Sequence, residues 1–116
     1  MMTKILFVLL IAAISSQSFA ESERYYQEKH CKGITEHPLH DRTRVDCLTD
    51  THAIEYDFSN KWHEAIGQSL GYACETNKRA GIVLIVEEKK DYKHWIKLNS
   101  IIQHYNLPID TWMVRD

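Results

Sequence analysis

Polar and apolar side chains alternate along residues 42 to 58, and from residue 62 onward the apolar positions recur every third or fourth residue instead. In "RTRVDCLT", Arg42, Arg44 and Asp46 fall on one side and Thr43, Val45 and Cys47 on the other. "HAIEYDF" sets Ala53, Glu55 and Asp57 against Ile54, Tyr56 and Phe58. A period of two is the signature of strands, and the polar turn at residues 49 to 51 joins these two as a hairpin. Upstream, "SERYYQEKHCK" reads as a helix stopped by Gly33. A short extended piece, "ITEHPL", follows, with Pro38 suited to an edge or an end, and His40 and Asp41 then turn the chain.

Beyond the hairpin, Ser59 or Asn60 is placed to cap a helix. Trp62, Ala65, Ile66, Ser69 and Ala73 cluster on the side that should meet a sheet. Lys61, Glu64, Gln68 and Tyr72 line up beside that stripe in an arc of roughly 80°. "AGIVLIVE" reads as a buried strand, residues 91 to 105 as a second amphipathic helix with Trp95, Leu98, Ile102 and Tyr105 at core spacing, and "IDTWMV" as a last strand. The order is helix, three strands, helix, strand, helix, strand. That predicts an α/β fold, a mixed central sheet flanked by helices with a parallel crossover through the central helix.

The first twenty residues change the setting. A basic start at Lys4, an apolar run from Ile5 to Ile14 and the ending Ser18-Phe19-Ala20 read as a secretory signal, too short in its apolar run to span a bilayer. Residues 21 to 116 are then a single exported domain, periplasmic or secreted, with no membrane segment after cleavage. Lys4 is the leader's only charge, so the 14 basic residues become 13 against 16 acidic, a formal charge of −3. This argues against a generic coat for polyanions. Export also lets disulfides persist, and the three cysteines lie in the mature part. Cys31 with Cys47 is the expected pair, worth roughly 3 kcal/mol on the chain-entropy picture, with Cys74 free, while Cys31 with Cys74 stays open. His37 and His40 downstream of Cys31 give a loose zinc-like spacing that lacks a fourth ligand. Tyr25, Tyr26, Trp95 and Trp112 are expected to fill the core.

The acids carry the chemistry. Asp46 on one strand, and Glu55 with Asp57 on one face of the next, can bring carboxylates close enough to raise one another's pKa unless a cation or shared proton intervenes. Hard oxygen ligands of this kind suit Mg²⁺ or Mn²⁺, which also accept phosphate oxygens. The plain alternative is a hairpin with one wet face, its acids paired to Arg42 and Arg44.

The succession "RVD", "AIEYD" and "KWHEAIGQSLGYA" resembles the PD-(D/E)xK nuclease superfamily, over roughly residues 33 to 112, and within it small exported bacterial proteins. The resemblance implies a restriction-endonuclease-like core of helix, three strands, helix and strand, extended here by a helix and a strand. It implies metal-dependent hydrolysis of phosphodiester bonds in nucleic acid, DNA ahead of RNA. By the same match Asp46 and Glu55 are catalytic and hold the metal. Asp57 stands where the family's lysine should be and becomes an extra metal ligand, and the lysine's role passes to Lys61. Gln68 and Tyr72 match a helix signature that helps place substrate, and Arg44 and Glu64 join them in a substrate-binding set. The competing expectation is a non-catalytic binding module that keeps this fold.

Overall fold

Ser22 opens the first helix by accepting from the Tyr25 N–H at 3.2 Å, and the helix, α1 (Glu23–His30), ends where Cys31 turns extended. The computed structural model describes residues 21–115; the leader read at residues 1 to 20 lies outside them. A disulfide then ties Cys31 to Cys47, the expected pairing, and Cys74 is free and exposed. Gly33, expected to stop the helix, lies three residues past its end. It packs so closely on the Leu48 carbonyl that any Cβ there would collide with it.

Five strands follow in the order β1 (Ile34–Pro38), β2 (Arg44–Leu48), β3 (His52–Phe58), β4 (Arg79–Ile85) and β5 (Ile109–Val114), and they occupy the sheet in that same sequence. β1, β2 and β3 are antiparallel neighbours, whereas β3, β4 and β5 run parallel. Pro38 accordingly sits on an edge strand, where its missing N–H does no harm. Two crossover helices serve the parallel half: α2 (Trp62–Thr76) between β3 and β4, and α3 (Tyr92–His104) between β4 and β5. Asn77 terminates α2 in the left-handed region at φ 56°, a conformation asparagine tolerates.

The sheet has two unlike faces. Ala80, Ile82, Leu84 and Val86 meet Ala65 of α2 and Leu98 of α3 in the larger core, with Trp62, Ile66, Ala73, Trp95 and Ile102 packed around them. The opposite face carries Cys47, Ile54, Tyr56, Val83 and Ile85, covered by Tyr26 of the eight-residue α1. No helix among the described residues is long and apolar enough to cross a membrane.

Five local expectations fail. Tyr25, expected in the core, is exposed on α1, where its ring meets Tyr26 edge-on and Lys29 lies over it. Arg42 is not in β2; it sits in the preceding turn at φ 73°, where its N–H bonds the Leu39 carbonyl. Neither Ser59 nor Asn60 caps α2, because the chain first makes a short 3₁₀ turn over Ser59–Lys61 and no side chain caps the helix that follows. Tyr105 lies just past α3 and is 65 % exposed, and Trp112 is 42 % exposed on the face that only α1 covers.

Candidate active site

β2 and β3 pair at only two positions, Cys47 with Ile54 and Leu48 with Ala53, although both strands continue beyond them. Past Cys47 the ladder lapses, and the Asp46 side chain takes over: its Oδ2 accepts the Tyr56 N–H at 2.8 Å. The distortion is shared with β1, whose register skips the Glu36 level opposite Asp46, with Glu36 at φ 54°. A strand junction that should be closed by backbone bonds is held instead by a carboxylate.

Glu55 and Asp57 point to the α2 side of the sheet, level with Ile82 and Leu84 of β4. Both are buried, at 4 % and 5 % exposure. Their surroundings are acidic. Asp46 lies within hydrogen-bonding reach of Glu55, and Glu23, from the first turn of α1, within reach of Asp57. Burial, reinforced by Asp46 and then by Asp57 and Glu23, pushes Glu55 up to about 10. Burial and Glu23 push Asp57 up to about 8 against the pull of Lys61. Asp46 is also raised, by burial, with the Glu55 contact and the Tyr56 N–H holding it back. Tyr72 of α2 completes the ring: burial, with the Glu55 and Asp46 carboxylates nearby, raises its hydroxyl.

Three oxygens here, Glu23 Oε2, Glu55 Oε2 and Asp57 Oδ2, are buried and accept no hydrogen bond. An unpartnered buried carboxylate oxygen is costly, and such atoms call for a proton or a cation. The donor set is all oxygen, which fits a hard divalent ion. As they stand, however, the acids pair two by two, and among the described residues no three His, Cys, Asp or Glu side chains form a ready coordination set. The chemistry of the donors fits such an ion, and their present spacing would have to tighten around it.

The structure thus gathers Asp46, Glu55, Asp57 and Tyr72, and puts Lys61 close enough to act electrostatically on Asp57, with no ion pair for Lys61 among the described residues. Arg44, Glu64 and Gln68 are exposed, and among the described residues no hydrogen bond or ion pair ties them to the acids. The wet-face alternative for Glu55 and Asp57 fails on burial, and neither Arg42 nor Arg44 pairs with them. The zinc-like spacing fails because Cys31 is consumed in the disulfide. Glu23 is the member the sequence reading missed. The usable signal was the cysteine pairing itself, because a bond from Cys31 to Cys47 fastens the helix bearing Glu23 to the strand bearing Asp46.

No family model, curated protein or solved structure gives a significant match to this chain.

Proposed function

We propose that this chain is an exported, disulfide-stapled domain of the restriction-endonuclease-like type that hydrolyses phosphodiester bonds in nucleic acid, DNA ahead of RNA, with Mg²⁺ or Mn²⁺. The observation that carries the reading is the set of buried, unpartnered carboxylate oxygens on Glu23, Glu55 and Asp57 beside Asp46. The mixed sheet and the order of its elements agree with the core that the sequence motifs imply. The Cys31–Cys47 bond agrees with an oxidising compartment outside the cytoplasm.

Asp46, Glu55 and Asp57, with Glu23 alongside, would hold the ion, which when bound supplies Lewis acidity to a phosphoryl oxygen and a more acidic water. The protein's own groups do the rest. Asp46, anchored by the Tyr56 N–H, fixes the mouth between β2 and β3. Lys61 ends the 3₁₀ turn just before α2 with its ammonium in the field of Asp57, where it orients water and offsets charge developing on the phosphate. The Tyr72 hydroxyl faces Glu55 and sets its orientation. Arg44, Glu64 and Gln68, exposed on the neighbouring strand and helix, are the groups left to meet the sugar–phosphate chain.

A second reading, a non-catalytic binding module on the same fold, draws on the pairwise arrangement of the acids and on the lack of an ion pair between Lys61 and these acids among the described residues. One experiment separates the two. Oxidised mature protein is incubated with single- and double-stranded DNA and with RNA in Mg²⁺, Mn²⁺ or chelator, next to Asp46→Ala. Cleavage that needs the ion and drops roughly 100-fold or more in the variant supports hydrolysis. Ion binding that is no tighter than in Asp46→Ala ends the catalytic reading.

A further inference from the structure

On the face of the sheet away from the acids, α1 is too short to cover what the strands present. Its Tyr26 reaches Phe58 at the upper end, and below it a groove of about 880 Å³ remains. The floor is apolar, formed by Ile54, Val83 and Trp112, with Ile34 on the wall. Gly81 makes this floor possible. A Cβ there would lie 2.9 Å from the Trp112 ring and 3.1 Å from Ile54, so only glycine lets the indole lie down across the central strand. The ring's edge meets His52 at 5.3 Å between centroids, which fixes its tilt. Ile34 is left 59 % exposed and Trp112 42 % exposed.

The rim has a sign. Lys32 and Lys78 line it, against the single lining acid Asp50. Lys78 is held in place by the carbonyls of Thr49 and Asp50, at 2.7 and 2.9 Å, partners that fix its position without cancelling its charge. Asp110, the nearby acid, is already committed to Arg79 and His52. In a mature chain with more acids than bases, a cationic rim around an apolar floor is a local departure. Its volume falls in the range of small-ligand pockets, a few hundred to about 1,000 Å³.

We infer that this groove is a binding site for a small amphiphilic anion, its apolar body on Trp112, Val83 and Ile54 and its acidic head against Lys32 and Lys78. The like charges of the rim disfavour a second copy of the chain face to face. The site is separate from the carboxylate cluster and stands whether or not that cluster hydrolyses anything.

The test uses the oxidised mature protein and two probes that share a body and differ in the head group, anionic 1-anilinonaphthalene-8-sulfonate and uncharged N-phenyl-1-naphthylamine. The anionic probe is expected to bind saturably at one site, quench tryptophan fluorescence, and bind about tenfold tighter than its neutral counterpart. Trp112→Ala should remove the binding of both. Lys32→Glu, a change at an exposed residue, should weaken only the anionic probe, again by about tenfold. Circular dichroism of each variant checks folding. Equal affinity for the two probes, indifference to Lys32→Glu, or concentration-dependent dimerisation that blocks the probe would overturn the inference.

Discussion

β3 and β4 lie side by side, run in the same direction and are buried alike, yet only β3 brings charge into the layer beneath α2. Glu55 stands level with Ile82 and Asp57 with Leu84. β4 is what packing alone selects at these positions, an unbroken apolar run. β3 accepts two carboxyl groups there and receives no compensating cation within ion-pair distance among the described residues. The architecture decides which positions are buried, and the residues placed there decide whether burial strengthens the fold or strains it. Here the stronger strand braces the weaker, since β4 is hydrogen-bonded to β3 along its whole length while β2 leaves β3 after two residue pairs.

The comparison can be broken from the β4 side. Leu84→Asp would put an acid beside Asp57 with neither the Asp46 anchor nor an opening in the ladder to relieve it. The expected loss is about 4 kcal/mol or more, enough to unfold most of a small domain's population, read as a collapse of the urea midpoint. A variant that keeps its midpoint would mean the layer is far wetter than Leu84's complete burial implies. The next largest effect comes from the staple. Cys31→Ser with Cys47→Ser should cost about 3 kcal/mol, and it also frees α1, with Glu23, from the strand of Asp46. Thermal denaturation of the double variant against the oxidised parent measures the first effect, and divalent-ion titration by calorimetry the second.

Much of this was readable from residue order, and what was not has physical reasons. Period-two alternation fixed β2 and β3, and the unbroken apolar run fixed β4, because sheet faces impose those patterns directly. The same alternation was ambiguous about environment: it placed Glu55 and Asp57 on one face and could not say that α2 would bury that face. Trp112 was expected in the core because tryptophan usually is, but the helix that should have covered it has only eight residues. Glu23 escaped because its contribution is long-range, made through a disulfide and not through any local spacing. The cap of α2 was misplaced because Ser59 and Asn60 enter a 3₁₀ turn, which the period of the apolar positions does not reveal.

A subtler test sharpens the contrast from the β3 side. Folded Glu55 titrates at about 10, against 4.5 for an unperturbed glutamate. Between those values the folded state keeps a proton that the unfolded state has lost, so the contribution of Glu55 to stability is greatest below about pH 4.5 and is lost as pH rises toward 10. Asp57, at about 8, adds to the decline over the lower part of that window. Glu55→Gln removes the larger contribution. In chelator at pH 8 it should stabilise the domain by on the order of 1–3 kcal/mol and flatten the pH dependence of the melting temperature. Mg²⁺, by favouring the ionised acids, should narrow the gap in the parent and do little in the variant. A melting temperature that rises with pH in chelator would contradict the burial argument.

The smallest change in stability is expected at the cation of the proposed site. Lys61 is exposed, so Lys61→Ala should move stability by no more than about 0.5 kcal/mol. Its ammonium nevertheless opposes the burial and the Glu23 contact that keep Asp57 protonated. Without it, Asp57 gives up its proton at a higher pH, and the ionised set forms later in a titration. The pH–rate profile for cleavage should therefore shift its acidic limb upward in Lys61→Ala and return in Lys61→Arg, which restores the charge on a different fork. A rate that drops equally at every pH and is not rescued by arginine would assign Lys61 to holding water by its own geometry. A rate that does not drop at all would leave β3's buried acids without the cation that the hydrolytic reading gives them.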